Sequence, residues 1–174
     1  MKIEAHIGKS RFKLSDFEKE ESKTLYKLSC RQRCQNIMVD CDYFEGKLNP
    51  DTGSKDVSFM ITIRAFGKNP GETYFYDIYS NPNNPKYNNI TRSVKDKDKE
   101  VKKGSTEAEK LNKFLNIINQ SCDQYIVQFV NFALKNIDNP KKCVSTPAFI
   151  KSVISNLKSQ SLTPQKNYNT SRNF

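Results

Sequence analysis

The sequence contains no tryptophan and a single histidine, His6. Histidine is the side chain that most often acts as the general base beside a serine or cysteine nucleophile. His6 lies in a short alternating segment without any motif around it. The near absence of histidine argues against nucleophilic catalysis of that kind, and we predict that the protein is not an enzyme.

The chain also lacks any long apolar run. A helix that spans a membrane needs about 20 mostly apolar residues, and no segment approaches this length. Residues 1–6 alternate in charge and show none of the apolar stretch that is typical of a secretory leader. We therefore expect no membrane partner, and an intracellular location in the nucleus or the cytoplasm.

The five cysteines do not have the spacing of a structural zinc site, which needs two close pairs of ligands. Cys30 and Cys34 form one close pair, whereas Cys41, Cys122 and Cys143 are scattered. In a reducing compartment all five are expected to be free thiols. We therefore predict neither a metal site nor any other cofactor.

Acidic residues are in the minority, with 19 Asp and Glu against 29 Lys and Arg, so the net charge is +10. A positive potential of this size attracts nucleic acid or acidic proteins. Apolar residues make up only 36% of the chain, below the ~45–50% of a typical soluble domain. The composition therefore predicts a basic protein in which long loops or disordered stretches accompany the core.

Residues 1–80 are predicted to form a β-rich core. Apolar and polar residues alternate along 37–43 and 57–65, which is the pattern of strands buried on one face. Asn69-Pro70-Gly71 suits a type II turn between two strands. The predicted fold class is α+β: an antiparallel sheet, or a small barrel or sandwich, of about five or six strands, followed by two C-terminal helices.

Three further parts follow the core. Residues 81–104 are predicted to form a basic polar linker, because prolines and alternating charges leave no apolar anchor. Residues 105–158 are predicted to be helical, with helices at 106–137 and 147–158. Residues 159–174 contain no acidic residue and are predicted to be a disordered basic tail.

Apolar residues of the first predicted helix recur at steps of three and four, so they form a stripe along one side. Thr106 with Glu109 matches a capping box, and Thr146 followed by Pro147 matches a helix start. We expect the stripe to pack on the sheet or on a helix of a partner subunit. The predicted partner-binding residues are Leu115, Ile118, Tyr125, Phe129 and Phe132.

Aromatic residues occur on both faces of the predicted strands, although a sheet with one solvated face needs only one apolar face. The wide stripe of the long helix favours burial of the second face beneath it. If that face is open, its rings and the neighbouring cations suit the bases and phosphates of a single strand. The predicted nucleic-acid-binding residues are Arg31, Arg33, Arg64, Lys68, Phe75 and Tyr79.

Two further patterns are candidates for chemistry. Asp40 and Asp42 share the polar face of a strand, with Asp77 expected nearby, and paired carboxylates can bind a metal or act as acid and base. Exposed acids on a solvated sheet face are the commoner case.

Gly8-Lys9-Ser10 matches the end of a phosphate-binding loop, but Ile3 occupies the position of the first glycine, so we interpret the match as chance.

Parts of the sequence resemble two known folds. Gly46 to Pro50, the strand at 57–63 and Phe66-Gly67 resemble the middle of an immunoglobulin sandwich of the major-sperm-protein type, which implies a two-sheet sandwich. The helical C-terminal third departs from that pattern, and we carry no function across. The strand count, the helix and the charge also resemble a small barrel of the oligonucleotide-binding kind, although its usual helix between the third and fourth strands is not evident.

Together these features favour a non-catalytic basic subunit of a nucleic-acid-associated complex. Its sheet and basic loops are expected to contact single-stranded nucleic acid or another protein subunit. The alternative is an immunoglobulin-like structural or protein-interaction subunit with no nucleic-acid role. A small enzyme with a carboxylate site at Asp40, Asp42 and Asp77 is the third hypothesis.

Overall fold

The computed structural model describes residues 2–19, 23–69, 71–94 and 97–161. They form an α+β fold, in which an eight-stranded antiparallel sheet is followed by three helices. The strands are β1 (Lys2–Ile7), β2 (Ser10–Lys19), β3 (Lys23–Cys34), β4 (Ile37–Asn49), β5 (Ser54–Phe66), β6 (Thr73–Ser80), β7 (Asn89–Val94) and β8 (Lys97–Glu100). The helices are α1 (Thr106–Ser121), α2 (Gln124–Asp138) and α3 (Ala148–Ser161).

One face of the sheet is apolar because buried and partly exposed residues alternate along its central strands. In β5, Phe59, Ile61 and Ile63 are fully buried, while the residues between them are only partly so. The register places Tyr43 of β4 opposite Phe59 and Ile78 of β6 opposite Ile61. Apolar side chains of neighbouring strands therefore meet in a continuous layer.

The helices cover this apolar face. Helix α2 packs on β3, β4, β5 and β6, and α3 packs on β1 and β2. The ring of Phe59 lies 5.0 Å from that of Phe132 and 6.2 Å from that of Phe129, both in α2, and 6.5 Å from that of Phe149 in α3. The core is thus a single layer between the sheet and the helices.

The sheet contains more strands than the five or six predicted, because the predicted linker at 81–104 includes β7 and β8 as well as a short 3-10 helix, Pro85–Tyr87. Ile90 of β7 lies opposite Ile78, and its carbonyl accepts a 2.7 Å hydrogen bond from Val101 N. All four residues of β8 are charged and exposed. Backbone pairing outweighs the poor strand propensity of this segment, and its charges disfavour association at the sheet edge.

The sheet is continuous, and its eight strands follow one another in sequence order, with β1 and β8 at its edges. This order differs from the Greek-key order of both folds that the sequence resembles in part. The prediction of an antiparallel sheet followed by helices is confirmed. None of the helices among the described residues has the length and apolar character that crossing a membrane requires.

The single helix predicted for 106–137 is wrong, since α1 and α2 are separate helices with Cys122 and Asp123 between them. The carboxylate of Asp123 accepts hydrogen bonds from Lys9 N at 3.0 Å and Ser10 Oγ at 2.6 Å. Asp123 N donates to Gln32 Oε1 at 2.8 Å. The Gly8-Lys9-Ser10 turn therefore binds a carboxylate of the same chain and holds the break between the helices against the sheet.

The predicted helix starts also need correction. Ser105, and not Thr106, caps α1, because its Oγ accepts from Ala108 N at 3.2 Å. Thr146 precedes α3 as expected, but its hydroxyl donates to Glu45 of β4. Residues 159–161 of the predicted tail belong to α3, and residues 162–174 lie outside the described residues.

Glu45 joins the start of α3 to the sheet. Its carboxylate is almost buried and accepts hydrogen bonds from Tyr43 Oη and Lys55 Nζ, and from Thr146 Oγ1 at 2.8 Å. Burial disfavours the charged form, but the hydrogen bonds from Lys55, Tyr43 and Thr146 outweigh it and hold the pKa of Glu45 below its usual value of 4.5. This buried polar cluster therefore favours the ionised form of the carboxylate.

Replacing Asp123 by alanine should lower the free energy of unfolding by about 1–3 kcal/mol. The Lys9 amide loses its acceptor, and the buried Ser10 hydroxyl keeps only the longer of its two hydrogen bonds, to Gln32 Oε1 at 3.3 Å. Urea denaturation followed by circular dichroism measures the change. The control is Asp138→Ala, which breaks an exposed ion pair with Lys103 and should cost less than about 1 kcal/mol. Equal losses in the two variants would contradict the anchoring role of Asp123.

Ionisation of Glu45 should make the free energy of unfolding depend on pH in the acid range. Since its folded-state pKa is lowered, its contribution is present above the unfolded pKa and is lost as the pH falls through the folded pKa. Denaturation at a series of pH values should show Glu45→Gln less stable than wild type at pH 7, with the difference shrinking below pH 4.5. Glu100→Gln, at an exposed position of β8, should follow the wild-type profile. A difference that is constant with pH would refute this assignment.

Candidate nucleic-acid interface

The side chains that alternate with the buried ones point to the opposite side of the sheet, away from the helices. We call this side the outer face. The favoured expectation that helices bury it is wrong, since Phe66 and Phe75 on this face are 37% and 39% exposed. Its cations are Arg11, Lys13, Lys27, Arg31, Arg33 and Arg64, and its rings are Phe44, Phe66, Phe75 and Tyr79.

The cations and the rings occupy different strands of the outer face. Arg11 and Lys13 lie on β2, and Lys27, Arg31 and Arg33 on β3. The rings lie on β4, β5 and β6, and Arg64 of β5 is directly opposite Phe75 of β6. The outer face therefore has a basic side at β2 and β3 and an aromatic side at β5 and β6.

A groove of about 410 Å³ crosses the outer face from β2 to β5. This volume is within the range of small-ligand sites. Five cationic side chains and two carboxylates contribute to its walls. The lining residues are Arg11, Lys13, Lys27, Ser29, Cys30, Arg31, Asp40, Asp42, Thr62 and Arg64.

The two carboxylates of the groove, both on β4, hold cations from the neighbouring strands. Asp40 accepts a hydrogen bond from Arg31 Nε and another from Arg64 Nη2 at 3.2 Å. Its hydrogen bond and its charge raise the pKa of Arg31. Asp42 accepts from Ser29 Oγ at 2.5 Å and lies 3.3 Å from Lys27 Nζ. The groove is therefore a network of paired charges in which the cations outnumber the acids.

Two cations of the outer face lie against its rings. The Arg33 guanidinium is 5.8 Å from the centroid of the Phe66 ring, and Lys27 Nζ is 5.1 Å from that of Phe44. Both distances are within the range of a cation–π attraction. The rings thus help to hold these two cations at the surface of the sheet.

The structure brings together five of the six residues predicted to bind nucleic acid, since Arg31, Arg33, Arg64, Phe75 and Tyr79 all lie on the outer face. The sixth, Lys68, is exposed in the turn between β5 and β6. The prediction omitted three cations of the groove, on β2 and at the start of β3. Their alternation with buried apolar residues of the same strands was the signal that could have found them. The omitted residues are Arg11, Lys13 and Lys27.

The residues predicted to bind a partner lie in or against the hydrophobic core of the same chain. Ile118 and Phe129 are fully buried, and Leu115 packs against the core. The Tyr125 ring meets that of Phe12 edge-on at 5.8 Å, and the Phe132 ring is 5.0 Å from that of Phe59. The apolar stripe of α1 and α2 is therefore occupied within this chain.

The carboxylates of the third hypothesis have partners within the protein. Asp77 accepts a hydrogen bond from Thr62 Oγ1 at 2.6 Å, and Asp40 and Asp42 hold the cations described above. Within residues 2–19, 23–69, 71–94 and 97–161, no three His, Cys, Asp or Glu residues are grouped so that they could hold a metal ion. All five cysteines are free thiols.

Comparison of the chain with protein-family models, with curated proteins and with solved structures finds no match. The outer face is the surface on which charge, aromatic rings and a groove coincide, so it is the candidate site.

Proposed function

We propose that the protein is a non-catalytic basic subunit of a nucleic-acid-associated complex, in the nucleus or cytoplasm, and that its outer face binds a single strand. The observation that carries this proposal is the arrangement of cations on β2 and β3 beside exposed rings on β5 and β6. Proteins that bind single strands combine a positive groove for the backbone with rings on which bases stack. The outer face offers both components, on pairs of strands that β4 separates.

A single strand fits this arrangement better than a duplex does. In a duplex the bases stack on each other, and their flat faces are hidden from protein rings. A single strand can place its phosphates along β2 and β3 and turn its bases toward Phe75 and Tyr79. Lys68, exposed in the turn between β5 and β6, adds one cation beyond the ends of these strands, where Glu72 is also exposed. We therefore expect single strands to bind more tightly than duplexes of the same length.

A protein-interaction subunit with no nucleic-acid role is the second candidate. The observation that favours it is that four of the outer-face cations already pair with carboxylates of this chain. Such pairs lower the positive potential that a polyanion meets. An outer face of this kind could instead bind an acidic segment of another subunit. Binding measurements with nucleic acid distinguish the two candidates.

Wild-type protein should bind a labelled single-stranded oligonucleotide with an affinity that falls steeply as salt is added. The salt slope, which is the slope of the logarithm of the association constant against the logarithm of the salt concentration, should be about −0.7 per neutralised phosphate. Fluorescence anisotropy at several salt concentrations measures it. The double variant Arg33→Gln/Arg64→Gln should bind more weakly, with a slope smaller by about 1.4 if each arginine meets one phosphate. The loss of counterion release is the physical reason.

The control for this experiment removes the same charge elsewhere. Lys151 and Lys158 are exposed on α3, so Lys151→Gln/Lys158→Gln lowers the net charge by two without altering the outer face. Its slope should match that of wild type. No binding of the oligonucleotide by wild-type protein at low salt would overturn the proposal and favour the protein-interaction subunit.

Phe75→Ala should weaken binding of a single strand by about 1–3 kcal/mol, because a base loses its stacking surface, and the salt slope should be unchanged. The same anisotropy titration measures both quantities. An abasic strand should bind wild type and Phe75→Ala equally well, since it has no base to stack. Tyr87→Ala removes an exposed ring of the 3-10 helix between β6 and β7, which is not part of any strand of the sheet, and serves as the matched control. A Phe75→Ala variant with wild-type affinity would rule out stacking at this position.

A further inference from the structure

Two arginines of the groove are held by one carboxylate. Arg31 on β3 and Arg64 on β5 both reach Asp40 on the strand between them. The Asp40 side chain is only 17% exposed, whereas those of Arg31 and Arg64 are 56% and 37% exposed. Asp40 therefore lies beneath the two guanidiniums and fixes their positions, while the guanidiniums themselves face solvent.

The bonds to Asp40 leave donors for a ligand. A guanidinium carries five N–H donors in a rigid fork. Asp40 engages Nε of Arg31 and Nη2 of Arg64. The remaining N–H groups of two arginines held at a fixed separation suit the several oxygens of a phosphate, which arginine recognises through paired hydrogen bonds.

A second observation points to an anion at the same place. Arg11 on β2 lies directly opposite Arg31 on β3, on the same outer face. Like charges directly opposite each other on a sheet are destabilising. Glu4 pairs with Arg11 from β1, and Asp40 pairs with both Arg31 and Arg64. The three arginines therefore share two carboxylates, and one positive charge is not balanced. A phosphate in the groove would relieve this repulsion.

We propose that the groove around Asp40 is a phosphate subsite, in which Asp40 is the positioning residue for Arg31 and Arg64. This inference rests on the proposed function and identifies the group that the groove binds as an internal phosphodiester of a single strand. The cations of β3 continue on both sides of Arg31, with Lys27 at one end and Arg33 at the other. A strand that passes along them places an internal linkage, and not its end, in the groove.

The positioning role of Asp40 predicts a change in affinity for a single strand that is opposite in sign to the change expected from net charge alone. Asp40→Asn removes a negative charge, so a simple potential would strengthen binding of a polyanion. If Asp40 positions the arginines, the variant should bind a single strand about tenfold more weakly, since charge-assisted hydrogen bonds are lost or misdirected. Its salt slope should also become less steep, because fewer phosphates are neutralised.

The matched control is Asp77→Asn. Asp77 lies on the same face, but its partner is the Thr62 hydroxyl and not an arginine. Asp77→Asn changes the net charge by the same amount as Asp40→Asn, and it should leave the affinity for the single strand unchanged or raise it. The melting temperature of each variant, measured by circular dichroism, identifies any loss of folded protein. Arg31→Lys, which keeps the charge and loses the fork, should reproduce the weaker binding if Asp40→Asn fails to fold.

A double-mutant cycle tests whether Asp40 acts through Arg31. Arg31→Gln should weaken binding in the wild-type background and have little effect in the Asp40→Asn background, because the two side chains act as a unit. Additive effects would show that Asp40 does not position Arg31. If wild type binds the strand and Asp40→Asn binds it as tightly or more tightly, the positioning role is refuted while the proposed function stands. If wild-type protein binds no single strand, both the positioning role of Asp40 and the proposed function are refuted.

Modified oligonucleotides identify the phosphate. Strands with and without a 5′-phosphate should bind equally, and inorganic phosphate should compete only weakly. Replacing internal linkages by uncharged methylphosphonates should weaken binding to wild type more than to Asp40→Asn. A requirement for the 5′-phosphate would show that the groove binds a terminal phosphate, and would overturn the assignment to an internal linkage.

Discussion

Burial of the apolar layer around Phe59 is the interaction on which the rest of the structure depends. This ring, in the middle of β5, contacts Tyr43 of the neighbouring strand and rings of α2 and α3. Because side chains alternate along a strand, the choice of one face for this layer fixes what every strand presents on the other. A shift of register by one residue would exchange the core and the outer face.

The outer face is the consequence of that choice. With Phe12 and Leu28 in the core, Arg11, Lys27 and Arg31 must point outward. The antiparallel register then sets cations of β2 and β3 beside carboxylates of β4 and rings of β5 and β6. The groove is thus assembled from residues far apart in sequence by the same pairing that builds the core.

Polar contacts connect the helices to this sheet at defined points. Asp123, between α1 and α2, accepts from the Gly8-Lys9-Ser10 turn, and Thr146, before α3, donates to the nearly buried Glu45. Carboxylates that are buried, like Glu45, or partly buried, like Asp123, are costly unless their oxygens are hydrogen-bonded. Both contacts therefore favour one arrangement of the helices over others that would cover the same apolar layer, and they keep the helices on the side opposite the groove.

The sequence by itself determined the α+β class, the strands with strong alternation, and the apolar stripes of the helices, because these depend on the local period of apolar residues. It also placed Arg31, Arg64 and Phe75 among the candidate site residues. Only the tertiary structure decided that the charged segment Lys97–Glu100 is a strand and that Asp123 separates two helices. Both result from contacts with residues distant in the chain, which no local pattern records.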